Sequence, residues 1–279
     1  MTYVDQPDKK QKHPHYEHRT VKLDLKDNEF SSKEFHKIRK VSTHKKLLKS
    51  LGRIGMCLNN KPTSSIPPGD LNKNCLILIN DYYKENYELD VGPLNDGYLI
   101  GLKHHRLGFK IFFLHNPRSD EFLNILPFFL KNTTESLTVF YSGRNTNGNH
   151  GIEFINGSVS KGSMSELIAK NCTGKPHVTF ITDCIGGGSV FDIKHDTEQC
   201  ESNMISMYVN KATAPDSKRS KRSHGIFTYY FSKIISDCPN ITPNRLIERM
   251  EPSLKRFNEE FHVDISNAKL GETPIFPTK

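Results

Sequence analysis

Short apolar runs that alternate with amphipathic segments dominate the chain from Cys75 onward. The five runs have the length and composition of strands buried on both faces, and they lie at 75–80, 110–115, 137–141, 177–182 and 204–209. The amphipathic segments predict helices at 93–107, 121–131, 163–171, 225–236 and 242–257. Such alternation favours an α/β domain with a mainly parallel sheet, whose ligands gather at the carboxyl ends of the strands.

The net positive charge of the chain lies in its first quarter. Residues 1–74 hold 16 Lys and Arg against 8 Asp and Glu, whereas the remainder is balanced. A localised basic segment of this kind attracts RNA, acidic lipid or an acidic protein face, although a solvated terminus that binds nothing has the same composition. We therefore expect an anionic partner, if there is one, to bind residues 1–52.

The N-terminal region predicts a single amphipathic helix. Ser31 and Glu34 have the spacing of a capping box, apolar residues follow on one face, and Gly52 is positioned to end the helix. This helix either packs on the domain or binds an acidic surface. The predicted organisation is a basic extension at 1–58 with the helix at 31–51, a linker rich in Pro and Gly at 59–74, and an α/β domain at 75–279.

The cysteines are scattered along the chain. The six show no C-x-x-C pair, so the sequence predicts neither a zinc knuckle nor a disulfide framework. The apolar runs are far too short to span a bilayer, and the N-terminus lacks the apolar region of a signal peptide. We expect a soluble cytoplasmic or nuclear protein without a cofactor.

Two motifs follow the third and fourth predicted strands. The first reads Tyr141-Ser142-Gly143-Arg144, and the second reads Asp183-Cys184-Ile185-Gly186. They resemble the motifs Y-S-G-H-G and D-x-C-H-S-G, which carry the catalytic His and Cys of the metacaspases. The resemblance spans residues 76–257 and implies a caspase-like α/β/α sandwich with a mainly parallel six-stranded sheet. Aligned without a gap, Arg144 stands at the His position and Ile185 at the Cys position.

These replacements remove the chemistry of the family. A cysteine nucleophile needs a neighbouring base with a pKa near neutrality, whereas a guanidinium stays charged and an isoleucine carries no nucleophile. An alternative alignment shifts the motif by one residue and makes Cys184 the nucleophile, since Cys184-Ile185-Gly186-Gly187 resembles the C-R-G-G of caspases. His150 would then have to act as the base. Side chains alternate along a strand, so this shift would turn Cys184 away from its partner.

The resemblance also implies a binding pocket for a basic substrate residue. Asp96, Ser142 and Asp183 match the residues that line this pocket in metacaspases. Arg144 either folds back onto Asp183 or Asp96 and closes the pocket, or points outward and leaves it open. Many metacaspases bind calcium through several Asp residues, but only Asp192 matches that set and residues 145–169 contain no Asp. We therefore expect no metal site.

Three functional hypotheses follow from these residues. The leading one is a metacaspase-like protein that has lost peptidase activity and binds basic peptides or active relatives through Asp96, Ser142 and Asp183. The first alternative is an active cysteine endopeptidase that cleaves after Arg or Lys with Cys184 as nucleophile. The second is an anion-binding module that acts through residues 1–52.

Overall fold

A computed structural model gives the architecture of the chain. It describes residues 44–67, 71–82, 85, 89, 91–146, 151–172, 174, 176–185, 188–191, 193, 203–211, 225–257 and 259–277. Within these residues, no helix is long and apolar enough to cross a membrane.

A seven-stranded sheet forms the centre of the described structure. Its spatial order is β1, β3, β2, β4, β7, β8, β9, and all neighbours are parallel except β8 and β9. The bounds are β1 (Gly55–Cys57), β2 (Lys73–Ile79), β3 (Lys110–His115), β4 (Ser136–Arg144), β7 (His177–Ile185), β8 (Met204–Lys211) and β9 (Glu259–Ile265). A separate antiparallel hairpin consists of β5 (Ile152–Phe154) and β6 (Gly157–Val159).

Helices cover both faces of this sheet. The helices are α1 (His44–Ile54), α2 (Gly92–Arg106), α3 (Ser119–Asn132), α4 (Lys161–Asn171), α5 (Ile226–Asp237) and α6 (Pro243–Lys255). Successive strand residues point to opposite faces, so each strand contributes to two apolar cores. Ile77 and Ile181 pack with α1, α2, α5 and α6, whereas Leu76 and Phe180 pack with α3 and α4. This arrangement is an α/β/α sandwich.

The predicted mainly parallel sheet is confirmed, with seven strands instead of six. Five of the seven strands correspond to the predicted apolar runs, whereas β1 and β9 were not located in the sequence, since neither has a long apolar run. Strand β9 carries Glu259, Glu260 and Asp264 and pairs only with β8 at the sheet edge. An edge strand with one solvated face can carry polar residues, so it lacks the continuous apolar run from which the buried strands were predicted.

The segment between the predicted N-terminal helix and the domain also differs from expectation. Helix α1 runs to Ile54, so Gly52 does not end it, and the predicted residues 31–43 lie outside the described residues. Strand β1, which we placed in the basic extension, is part of the central sheet, and β2 begins at Lys73. Leu47 and Leu51 are fully buried in the core beneath α2, so this part of the helix packs on the domain.

Candidate functional site

The candidate site lies where the strand connections diverge. From β2 the chain crosses to β3 on one side, and it then returns to β4 on the other side of β2. In parallel sheets, a crevice for ligands forms at the carboxyl ends of such strands. Residues 80–82 follow β2, and Arg144 ends β4, so the first predicted motif lies beside this crevice.

The register of β4 and β7 places the two motifs side by side. Arg144 pairs with Ile185, and Gly143 pairs with Cys184. The two residues that the gapless alignment sets at the His and Cys positions are therefore direct neighbours across the two strands. In the alternative alignment Cys184 is the nucleophile, and its partner across the strands is Gly143.

Cys184 belongs to the core on the other side of the sheet from Asp183. Its side chain is 1 % exposed and lies in the apolar cluster with Phe180, Val190 and Phe191. Asp183, one residue earlier, points toward the face covered by α2 and α5. Alternation along β7 therefore separates the thiol from the candidate pocket. His150, the base in the alternative hypothesis, lies outside the described residues.

Arg144 lies over the ring of Tyr82. Its guanidinium carbon is 5.7 Å from the ring centroid, within the range of a cation–π contact. The Arg144 backbone N–H donates to the Tyr82 hydroxyl at 3.3 Å, and the Tyr141 hydroxyl donates to the Arg144 carbonyl. Burial raises the pKa of Tyr82 and of Tyr141 well above the usual range, so both hydroxyls stay protonated.

Tyr82 itself is held in an unusual backbone conformation. Its φ of 55° lies in the left-handed region, which residues other than glycine seldom adopt. Its N–H donates to Asn116 Oδ1 at 3.0 Å, and its hydroxyl donates to the Glu153 carbonyl at 2.9 Å. These two hydrogen bonds hold the strained residue under Arg144, and strain of this kind clusters at functional sites.

The structure brings the three predicted pocket residues together. Ser142 Oγ donates to Asp96 Oδ2 at 3.2 Å, and Ser142 pairs with Asp183 across β4 and β7. All three side chains are completely buried. Two carboxylates in one enclosed region repel each other and require nearby donors or a cation.

The start of helix α5 supplies several of these donors. The Gly225 N–H donates to Asp96 Oδ1 at 2.8 Å, while the Thr228 N–H and hydroxyl donate to Asp183 Oδ2 at 3.0 and 2.7 Å. Gly225 precedes the helix and has no side chain that could cap it. The two carboxylates therefore take over the capping role, and the positive end of the helix dipole offsets part of their charge.

One oxygen of Asp183 remains without a hydrogen bond. Asp183 Oδ1 is buried and has no partner among the described residues, whereas Oδ2 accepts two hydrogen bonds from Thr228. The ion pair between Arg144 and Asp183 that we considered is therefore not formed. A buried carboxylate oxygen without a donor is energetically unfavourable, so this atom is the natural acceptor for an incoming donor.

Two histidines surround a second buried carboxylate next to Tyr82. His44 Nε2 lies 2.9 Å from Asp81 Oδ2, and His115 Nε2 lies 3.0 Å from each Asp81 oxygen. Burial alone would raise the pKa of Asp81, but hydrogen bonds from His115, His44 and Asn116 outweigh it and hold that pKa well below its usual range. Asp81 is thus ionised.

Sequence reasoning did not single out this second group. Asp81 and His115 follow β2 and β3, so the rule that strand ends gather at one edge could have placed these two together. His44 comes from α1, and no sequence spacing relates it to the other two.

The calcium ligands of metacaspases have few counterparts in this chain. Between residues 145 and 169 the acidic residues are Glu153, in the hairpin, and Glu166, exposed on α4. Two separate carboxylates do not make up the several that calcium requires. Asp192 lies outside the described residues.

Comparison with known proteins identifies the fold. No family model and no curated protein sequence matches the chain. Among solved structures, it is similar to the Drosophila initiator caspase Dronc, with a TM-score of 0.50 and 15 % identity over 74 % of this chain and 84 % of that one. It is also similar to protein GSU0716 from Geobacter sulfurreducens, with a TM-score of 0.53 and 9 % identity over 74 % of this chain and 99 % of that one. The fold is therefore a caspase-like α/β/α sandwich.

Proposed function

We propose that this chain is a caspase-fold protein without peptidase activity that binds basic segments of other proteins. The observation that carries the proposal is the pairing of Arg144 with Ile185 at the ends of β4 and β7. At these positions a catalytic imidazole and thiol would lie side by side, and this chain has a guanidinium and an aliphatic group instead.

Three described residues at these strand ends, Arg144, Tyr141 and Cys184, do not replace the missing imidazole and thiol. A guanidinium group cannot act as a general base. Tyr141 cannot serve as a base either, because burial holds its pKa far above neutrality. Cys184 lies in an apolar core, where a thiolate would be strongly disfavoured. These three facts support the loss of activity and argue against Cys184 as a nucleophile.

The binding part of the proposal rests on Asp183. A guanidinium or ammonium group from a peptide would donate a hydrogen bond to Asp183 Oδ1. Its positive charge would also offset the repulsion between the carboxylates of Asp183 and Asp96. Gly225 lies directly against this carboxylate, so the peptide side chain has to reach Asp183 past the first turn of α5. Active peptidases of the same fold, with basic cleavage segments, form one such class of partner.

Two measurements on the full chain test the proposal. The first is hydrolysis of fluorogenic peptides ending in Arg or Lys, with wild type and Cys184→Ala. We expect no turnover that depends on Cys184. The second is fluorescence anisotropy with peptides that contain Arg, Lys or Gln at one position. We expect wild type to prefer the basic peptides.

Asp183→Asn is the decisive variant for binding. It keeps an oxygen for the Thr228 hydrogen bonds but removes the charge, so we expect the preference for Arg and Lys over Gln to disappear. Asp120→Asn is the matched control, since that carboxylate is exposed on α3. Turnover that is lost in Cys184→Ala would establish the endopeptidase hypothesis instead. Salt-sensitive binding of RNA or acidic lipid vesicles that is lost when only residues 1–43 are removed, with α1 kept, would support the anion-binding hypothesis for residues 1–52.

A further inference from the structure

Three parts of the fold meet around Asp81. His44 is the first residue of α1, Asp81 follows β2, and His115 ends β3. One ligand atom from each residue lies within 4.8 Å of the other two. The three residues are distant in sequence, so only the packing of α1 against this end of the sheet creates the group.

The donor atoms have the identity and direction that a metal ion requires. Both imidazoles turn the same nitrogen, Nε2, toward the carboxylate of Asp81. The two ring centroids are 4.9 Å apart with an angle of 57° between planes, so the rings are tilted and not stacked, and their Nε2 atoms meet at the same carboxylate. Two imidazole nitrogens and one carboxylate oxygen form a common protein ligand set for zinc, with a fourth position left for water.

Surrounding residues orient two of the ligands. Asn116 Nδ2 donates to Asp81 Oδ1 at 2.7 Å. The Asn59 side chain donates to the His115 carbonyl and accepts from the His115 N–H, at 3.0 and 2.9 Å. Outer hydrogen bonds of this type fix ligand orientation in metal sites.

The exposure of the group suits a site that can be loaded from solution. Asp81 is fully buried, whereas the side chains of His44 and His115 are 15 % and 14 % exposed. Solvent therefore reaches the imidazoles, and the buried carboxylate supplies negative charge for a cation. A softer cation than calcium is favoured, because two of the three ligands are nitrogens.

We propose that His44, Asp81 and His115 bind one divalent transition-metal ion of the zinc type. The ion would connect α1 to the carboxyl ends of β2 and β3, and its ligand Asp81 directly precedes Tyr82. This site is distinct from Asp96, Ser142 and Asp183, so it stands independently of the proposed peptide binding.

The test uses the full chain, first stripped with a chelator. Isothermal titration with Zn²⁺ should show one tight equivalent, and Co²⁺ should produce the visible absorption of a four-coordinate ion. We expect His44→Gln combined with His115→Gln to weaken the affinity of this equivalent at least about 100-fold, and Asn116→Ala to weaken it about 10-fold to 100-fold.

A second variant controls for other histidines. His13, His15 and His18 are close in sequence and could bind zinc by themselves. Replacing all three with Gln should leave the tight equivalent unchanged. Loss of that equivalent in this variant, or its survival in the His44 and His115 variant, would overturn the proposal.

X-ray absorption spectroscopy on zinc-loaded wild type requires no variant and covers the case in which a substitution disrupts folding. Two imidazole nitrogens with oxygen ligands are expected at about 2.0–2.2 Å. A shell dominated by sulfur, a shell with other imidazole numbers, or no tight zinc at all would refute the site.

Discussion

Gly225 and Asp183 are in direct contact at the start of α5. A Cβ atom built on Gly225 would lie 1.8 Å from Asp183 Oδ2, the oxygen that accepts from Thr228. Only glycine fits at this position, because any side chain would collide with the Asp183 carboxylate that caps the helix.

Gly225→Ala should therefore destabilise the protein. Either the carboxylate or the first turn of α5 must move, and overpacking of this kind reduces the free energy of unfolding by about 1–3 kcal/mol. Urea unfolding followed by circular dichroism measures the loss.

Gly52→Ala is the matched control for this substitution. Gly52 lies within α1 and has no atom within 4 Å of its Cβ position. We expect Gly52→Ala to stabilise the protein by about 0.5–1 kcal/mol, since alanine is the better helix former. Equal effects of the two substitutions would contradict the contact between Gly225 and Asp183.

Tyr82→Phe should loosen the residue beneath Arg144. The change removes the hydroxyl that donates to the Glu153 carbonyl and accepts from the Arg144 N–H. We expect a loss of about 1–3 kcal/mol in the free energy of unfolding, because buried partners are left unsatisfied. Thermal unfolding measures it, and Tyr230→Phe, on a half-buried ring of α5, is the control with little expected effect.

Leu51→Ala should show that α1 is part of the folded domain. Leu51 is fully buried and lies against Gly101 of α2. Truncating a buried leucine reduces the free energy of unfolding by about 2–5 kcal/mol. Lys49→Ala, on the exposed face of the same helix, should change stability little, and an equally small effect of Leu51→Ala would mean that α1 does not pack on the sheet.

Two buried histidines should make the protein sensitive to acid. Burial lowers the pKa of both His104 and His177 to about 4. The unfolded chain has a His pKa of about 6.5 and so binds more protons between these values. Stability should therefore fall as pH drops from about 6.5 to 4, by up to about 1.4 kcal/mol per pH unit for each histidine.

His104→Asn isolates one of these contributions. Asparagine can keep the hydrogen bond to the Ile100 carbonyl but does not titrate. Unfolding free energies measured across this pH range should show a shallower acid slope, whatever the change in absolute stability. His105→Asn, on the exposed side of α2, should keep the wild-type slope, and an unchanged slope in His104→Asn would refute the assignment.

Helix boundaries show how far local sequence signals reach. Thr242 and Pro243 predict the start of the last helix, and in the structure Thr242 caps α6 while Pro243 begins it. The buried strands were predicted from their apolar runs within a few residues. Strands β1 and β9 and the β5–β6 hairpin were missed, because short or half-solvated strands lack such runs.

The candidate site was predictable from local sequence only in part. Strand ends and motif resemblance placed Ser142, Arg144 and Asp183 at one edge of the sheet, and the register confirms that these strand ends are neighbours. The contact of Arg144 with Tyr82, and the group of His44, Asp81 and His115, join residues from separate elements. No periodicity or spacing encodes such contacts.

The sequence by itself determined the α/β class, the positions of the buried strands along the chain and the residue types at 144 and 185, because these depend on residue type and local pattern. The tertiary structure decided which face Cys184 occupies, that α5 uses Asp96 and Asp183 as its cap, and that α1 brings His44 to Asp81. These outcomes depend on strand register and helix packing, which arise only when distant segments bury their apolar faces together.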